Sequence, residues 1–261
     1  MTADFKINIY DEKSGTLLAS VAKGVQSHTF ESLTVNTYYS CLIRVVDKLE
    51  NKGASVSAAA YTAPGGRNYT LIHNAAELDD VRNDLNAHYI VVNAIDLSSY
   101  ANWNPIAFSA PGFRGTFEGN GYEIRSLHAS GSMMVGLFGI VDGTNGAQLN
   151  NVVLTGVVIQ GNGPASAALA ASLVSGAAVN GCSVSGTLTV AGNAGAIAGS
   201  CDNTSTIERC SAVVDITINT AVGNGGGITG SNAGTINDSS VNIAIQSSGP
   251  NTGGLCGTNN G

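Results

Sequence analysis

Five acidic side chains in the second half of the chain are of a type that could support catalysis. Glycoside hydrolysis, for example, needs two carboxyl groups about 5–10 Å apart on one face of a protein. The acids that follow residue 130 are Asp142, Asp202, Glu208, Asp215 and Asp238. Asp142 and Asp202 hold the same position in a sequence repeat described below, but they fall two repeats apart, and the other three stand at different positions. The spacing therefore predicts no catalytic pair, and we assign no catalytic residue.

Cysteines could bind zinc or form disulfides. The chain contains Cys41, Cys182, Cys201, Cys210 and Cys256. No two of them are separated by only two residues and no histidine follows His128, so the closely spaced ligands typical of zinc sites are missing. Cys182 and Cys210 share a position in the repeat and are expected to stack. We favour two buried thiols there, with a disulfide as the alternative, and we predict no metal site and no cofactor.

The charge of the chain excludes two classes of partner. Lys and Arg together number 11, the net charge is −7, and Arg209 is the sole basic residue after residue 130. Nucleic-acid binding needs a basic surface, which this composition does not supply. No apolar run approaches the roughly 20 residues that span a bilayer, so we predict no membrane insertion.

The N-terminal sequence MTADFKINIYDEK lacks the apolar segment of a secretion signal. We expect that the chain is the interior of a longer protein or reaches the exterior by another route, as a virion protein does.

A short sequence motif of small and apolar residues, called a repeat word below, recurs at nearly regular intervals after residue 130. Its central residues, called anchors below, are Leu137, Leu169, Ile197, Ile228 and Leu255, at spacings of 32, 28, 31 and 27 residues. A second word, beginning with Leu149-x-x-Val152-x-Leu154, follows each anchor except the last. A third apolar position recurs at Val158, Leu188, Ile216 and Ile245. Three words with a period near 30 predict a solenoid, in which stacked coils bury a core that one repeat cannot bury alone.

Asparagines accompany the anchors. Asn193, Asn224 and Asn251 each stand four residues before an anchor, whereas Asn162 stands seven before its own because residues 164–166 form an insertion. We interpret the four as a ladder in which side-chain amides bond from coil to coil. Ordinary turn asparagines are the alternative.

These words resemble the GLUG repeats of bacterial surface proteins. The copies that carry the resemblance are GLFG at 136–139, GITG at 227–230 and GLCG at 254–257, with ALAA at 168–171 and AIAG at 196–199 as weaker copies. Together with the lead-in described next, the resemblance covers about residues 67–261. It implies a parallel β-solenoid of the kind found in adhesins.

Residues 71–127 resemble the lead-in that often precedes GLUG repeats. The stretches that carry the resemblance are AEL at 76–78, IDL at 95–97, WNPI at 103–106 and FRGTFEGNG at 113–121. The resemblance implies a helix that caps one end of the solenoid. The pattern predicts this helix over 74–86, with Asn74 as N-cap and Glu77 three residues on. Glu118, where such lead-ins commonly carry Asp, is interpreted as a surface acid of the cap together with Asp79, Asp80 and Asp96.

Residues 28–62 resemble the second half of a fibronectin type III domain. The resemblance is carried by LTVNTYY at 33–39, followed by Cys41, Ile43, Val45 and Asp47. It implies that Tyr39 forms the tyrosine corner of that family. The first two strands of the family, with their buried Trp, have no counterpart here. We therefore expect either that the chain begins within the domain or that a partner supplies the missing strands.

The predicted fold class is all-β, with a partial fibronectin III-like sandwich followed by a capped parallel β-helix that has one short helix. The predicted domains are a partial fibronectin type III-like domain at 1–63, a linker at 64–67, a lead-in and cap at 68–134, and solenoid repeats at 135–261, about four plus a partial fifth.

These features predict a non-enzymatic, extracellular structural or adhesion protein on a bacterial cell surface. The alternatives are a bacteriophage fibre, decoration or receptor-binding protein on the virion surface, and the non-catalytic part of a polysaccharide-active β-helix protein. The expected partners are surface glycans or a host receptor. Because the last coil and the sandwich are incomplete, a further expected partner is a second copy, through self-association at either place.

Overall fold

A computed structural model describes residues 5–12, 14–22, 28, 30, 37–47, 49–62 and 68–261. The chain divides into two compact units, Met1–Tyr69 and Thr70–Gly261. The predicted linker at 64–67 lies outside the described residues.

The first unit contains a four-stranded antiparallel sheet. Its strands are β1 (Phe5–Asp11), β2 (Leu17–Ala22), β3 (Thr37–Asp47) and β4 (Lys52–Thr62), in the order β2-β1-β3-β4. Among the described residues of this unit no second sheet is present. Tyr39 lies half-buried on β3, opposite Ala60, and its role as a tyrosine corner stays a prediction.

The second unit is a parallel β-solenoid of about six turns, and the residues that the structure describes are 55% strand with one short α-helix. The predicted all-β solenoid fold is thereby confirmed. Most coils run through four sheets, which we name the anchor sheet, the second sheet, the long-strand sheet and the corner sheet.

The strands of the anchor sheet follow the anchor residues. They are β11 (Phe138–Asp142), β15 (Ala170–Val174), β19 (Ala198–Cys201), β23 (Thr229–Asn232) and β27 (Cys256–Asn259). The second sheet contains β5 (Thr70–Ile72), β6 (His88–Val91), β8 (Thr116–Glu118), β12 (Gln148–Asn150), β16 (Ala178–Asn180), β20 (Thr206–Glu208) and β24 (Thr235–Asn237).

The long-strand sheet contains β7 (Ile95–Asp96), β9 (Glu123–Arg125), β10 (His128–Gly131), β13 (Val153–Gly161), β17 (Ser183–Val190), β21 (Ser211–Ile218) and β25 (Ser240–Ser247). The corner sheet contains β14 (Ala165–Ala167), β18 (Asn193–Gly195), β22 (Asn224–Gly226) and β26 (Asn251–Gly253). In all four sheets each strand pairs in parallel with its counterpart one coil away, so equivalent residues stack about 4.8 Å apart.

The anchors occupy one position on successive coils. Leu137, Leu169, Ile197 and Ile228 are fully buried, whereas Leu255 is 42% exposed. Leu255 differs because it precedes β27, the outermost strand of the anchor sheet, so within this chain only one neighbouring coil covers it.

The third apolar position was predicted wrongly in the first coil. Leu188 pairs with Ile159 and not with Val158, and the same position continues through Ile216 to Ile245 in the later coils. The cause is a register irregularity between Leu154 and Val157, where β13 holds one residue more than β17. Such a bulge reverses the faces of the residues beyond it. Ile159 is consequently fully buried and Val158 is partly exposed.

The capping helix begins where predicted but is shorter. It is α1 (Ala75–Asp79), continued by a 3-10 turn over Asp80–Asn83. Asn74 Oδ1 accepts from Glu77 N at 3.0 Å, as in a capping box. Glu77 Oε2 accepts from His73 N at 2.7 Å, so its side chain reaches one residue beyond the N-cap that a capping box would use. The Asp- and Asn-rich residues beyond α1 are poor helix formers, so the remaining predicted turns do not form.

Candidate ligand-binding surface

Two of the five acids of the repeat region, Asp142 and Asp202, hold turns. The Asp142 carboxylate bonds the Thr144 hydroxyl and lies 2.7 Å from the Arg114 guanidinium. The hydrogen bond from Thr144, with help from Arg114, lowers the pKa of Asp142 to about 2. Asp202 accepts bonds from Thr204 and Ser205 in its own turn. These carboxylates fix backbone and stay ionised, which is the behaviour of structural groups rather than of an acid-base pair.

The cysteines of the solenoid are free thiols. Cys182 and Cys210 are both buried, stack on adjacent coils as expected, and interact through their side chains. Burial raises the pKa of the Cys182 thiol well above its usual value, so this thiol stays protonated. Within the described residues no group of three or more His, Cys, Asp or Glu side chains could hold a metal ion.

Glu118 is not the surface acid that the sequence predicted. Its side chain, on β8, is only 6% exposed, because the next coil covers it. Its Oε1 accepts hydrogen bonds from Asn151 Nδ2 and Asn120 N, both at 2.9 Å. Burial raises the pKa of Glu118, and the two hydrogen bonds act in the opposite direction. The carboxyl therefore ties the cap to the first repeat.

We expect Glu118→Gln to change how stability depends on pH. A carboxyl whose pKa is raised in the folded state stabilises the fold below its ordinary value of 4.5, and this stabilisation is lost as pH rises through the folded pKa. Glutamine keeps the accepting oxygen without the charge, so the variant gains up to about 1 kcal/mol over the wild type at pH 7 and little at pH 4. Urea unfolding between pH 4 and 8 measures this difference.

Asp215→Asn is the matched control, since Asp215 is an exposed acid on β21. Because this carboxylate is exposed, its loss should change stability at pH 7 by less than Glu118→Gln does. A pH-independent difference between Glu118→Gln and the wild type would contradict the prediction.

Three of the four predicted ladder asparagines form a row on the corner sheet. Asn224 Nδ2 donates to Asn193 Oδ1, and Asn251 Nδ2 donates to Asn224 Oδ1, both at 2.8 Å. Asn162 does not belong to this row, because Ala165 pairs with Asn193 in its place. The predicted insertion at 164–166 is wrong, because Ala165 and Ser166 pair in register with Asn193 and Ala194. Asn162 directly follows β13 and corresponds to Ala191 after β17, so the row ends at Asn193.

The outer face of the long-strand sheet carries two neighbouring rows of side chains, one entirely polar and one that mixes polar and apolar residues. One row across five strands is free of charge and consists of Ser130, Gln160, Thr189, Thr217 and Gln246. The neighbouring row consists of His128, Val158, Thr187, Asp215 and Ala244. These rows give the sheet a hydrogen-bonding surface of low charge.

Two depressions lie near the end of this face. The first, about 190 Å³, is lined by Ala101, Asn102, His128, Ala129, Ser130, Val158 and Gln160. In it the Asn102 amide is engaged with the Ser130 backbone, at 2.7 Å from its nitrogen and 3.2 Å from its oxygen. The His128 ring and the Gln160 amide are exposed and can meet a ligand.

The second depression, called the corner depression below, has a volume of about 610 Å³. It is lined by Asn162, Gly163, Pro164, Ala191, Gly192, Asn193, Thr220, Val222 and Asn224. None of these residues is charged. Sequence reasoning did not find this depression, because the turns at this corner, residues 162–164, 191–192 and 219–223, differ in length and do not follow the repeat.

Comparisons with known proteins give limited matches. No protein-family model matches the chain. A protein of Evansella cellulosilytica, whose name marks it as a candidate Gly-rich membrane protein, is 33% identical over 135 residues, covering 48% of this chain and 15% of that protein. A solved structure of a protein named IgA1 protease matches 99% of this chain and 23% of its own, with a TM-score of 0.49 and 13% identity. The chain thus spans less than a quarter of either protein. None of the helices in the described part is long and apolar enough to cross a membrane.

Proposed function

We propose that the chain is a non-enzymatic solenoid module that binds neutral glycans at the surface of a bacterial cell. The observation that carries this proposal is the uncharged, hydrogen-bonding surface formed by the long-strand sheet and the corner depression. Hydroxyl and amide side chains at fixed 4.8 Å intervals suit a ligand that itself carries many hydroxyl groups.

The distribution of charge supports a neutral ligand. From residue 130 to the end, six residues are charged, namely Asp142, Asp202, Glu208, Arg209, Asp215 and Asp238. Of these, Asp215 alone stands in the two rows described above. An anionic or cationic ligand would find little electrostatic complementarity on such a surface.

The proposed location follows from the similarity to a protein with "membrane protein" in its name, together with the repeat words. We infer that the chain belongs to an extracellular protein. Within it, residues 135–261 form a GLUG-like solenoid and residues 1–63 form a partial fibronectin type III-like domain. In that setting the stacked coils also serve as a stalk that holds the binding face away from the cell.

A glycan array tests the proposal directly. The full chain should bind one or more neutral oligosaccharides and release no reducing sugar from them over hours of incubation. Binding to no glycan on the array would overturn the binding function. Release of products would overturn the non-enzymatic assignment and place the chain among polysaccharide-active β-helix proteins.

A further inference from the structure

The asparagine row ends in an amide whose donors are free. Asn193 Oδ1 accepts from both the backbone N of Asn224, at 3.3 Å, and its Nδ2, at 2.8 Å. These two bonds fix the orientation of the Asn193 amide, because its oxygen must face Asn224. Its Nδ2 then faces away from the row, and among the described residues it meets no acceptor.

The corner turn of the preceding coil, residues 162–164, lies beside this amide. Asn193 N donates to Pro164 O at 2.9 Å, which holds this turn beside the row. Asn162 is the first residue of the turn and lines the corner depression, while Ala165 takes the position that would continue the row. The depression therefore has a fixed pair of N–H donors at one wall and a second amide nearby.

The remaining walls combine an acceptor with apolar surface. The Thr220 hydroxyl donates to Ala191 O, so its oxygen lone pairs stay available as acceptors. Val222, which is 78% exposed, and Pro164 supply apolar surface. The volume lies within the range of small-molecule sites.

We propose that the corner depression binds the acetamido group of an N-acetylated hexose. This inference rests on the proposed function and names the site and the sugar class. The carbonyl oxygen of the acetamido group accepts from Asn193 Nδ2, its N–H donates to the Thr220 or Asn162 side chain, and its methyl group packs against Val222 and Pro164. A hexose with a hydroxyl in place of the acetamido group makes neither the methyl contact nor the full set of hydrogen bonds.

The test uses two probes that differ in this group. N,N′-diacetylchitobiose should bind the full chain, and cellobiose should bind at least about tenfold more weakly, in titrations by calorimetry or NMR. Asn193→Asp keeps the oxygen that accepts from Asn224 and removes the free donors, so it should reduce affinity for N,N′-diacetylchitobiose about tenfold.

Asn251→Ala is the matched control. It breaks the row at its other end and does not line the depression, so it should leave affinity unchanged. Val222→Ser changes an exposed residue and should not affect folding. It should weaken binding severalfold, because the acetamido methyl group loses its contact with the valine side chain. Circular dichroism checks that each variant is folded.

The outcomes separate this inference from the proposed function. Equal affinity for the two disaccharides, no binding of either, or equal loss in Asn193→Asp and Asn251→Ala would overturn the assignment of this site. Glycan binding on the array together with any of these results would leave the proposed function standing. A chain that binds no glycan at all would overturn both.

Discussion

Replacing Leu169 by alanine lowers the free energy of unfolding by about 3 kcal/mol, because it leaves a cavity in the middle of the stacked core. Leu169 is fully buried, and coils on both sides cover it. Its carbonyl oxygen accepts from Phe138 N in the coil before, and its N–H donates to Ala196 O in the coil after, so the surroundings cannot collapse far into the space. Urea unfolding monitored by far-ultraviolet circular dichroism measures the change.

Leu255→Ala is the control for this result. Leu255 holds the same position in its repeat word but is 42% exposed, so the same truncation should cost about 1 kcal/mol or less. Hydrogen exchange on both variants adds a spatial test. Protection should fall in the coils next to residue 169 in the first variant and stay local to β27 in the second. Equal losses in the two variants would mean that the anchors do not share one stacked core.

Repetition explains why the solenoid could be predicted from the sequence. Because the anchor motif recurs at nearly constant spacing, each copy independently indicates the same burial pattern. An error in one copy therefore does not change the inferred fold. Leu137, Leu169, Ile197 and Ile228 all lie in the core as that pattern requires. The stacking of Cys182 and Cys210 on adjacent coils follows from the same periodicity.

The features that sequence reasoning missed are departures from the repeat. A bulge in β13 places Ile159 in the core where the sequence predicted Val158. The pattern of apolar residues alone did not reveal the bulge, because both residues are β-branched and apolar. Glu118 was placed on the surface because a carboxylate is rarely buried, and only the pairing of β8 with β12 shows that the next coil covers it. Asn162 and the corner depression depend on the corner turns, which do not follow the repeat because their lengths differ from coil to coil: they are residues 162–164, 191–192, 219–223 and 248–250.

Replacing Gly230 by alanine tests why the repeat word needs its last glycine, and the variant should lose about 3 kcal/mol of stability or fail to fold. A Cβ atom at Gly230 would lie 2.4 Å from Ala194 N and 2.6 Å from Asn224 O. Both atoms belong to the backbone of the corner sheet, which packs directly against the anchor sheet here. Backbone in two hydrogen-bonded sheets cannot move aside as a flexible side chain can, so the clash is relieved only by separating the sheets.

Gly254→Ala is the matched control, because a Cβ atom at Gly254 meets nothing within 4 Å and the residue has no positive φ. It should be neutral or slightly stabilising, since alanine reduces the conformational freedom of the unfolded chain.

Ala171 already occupies the position of Gly230 in an earlier coil. There the preceding segment contributes only an isolated bridge between Val135 and Ser166, which leaves room for a methyl group. Glycine is therefore required wherever a complete corner-sheet strand packs on the anchor sheet, and equal stability of Gly230→Ala and Gly254→Ala would refute that explanation of the repeat word.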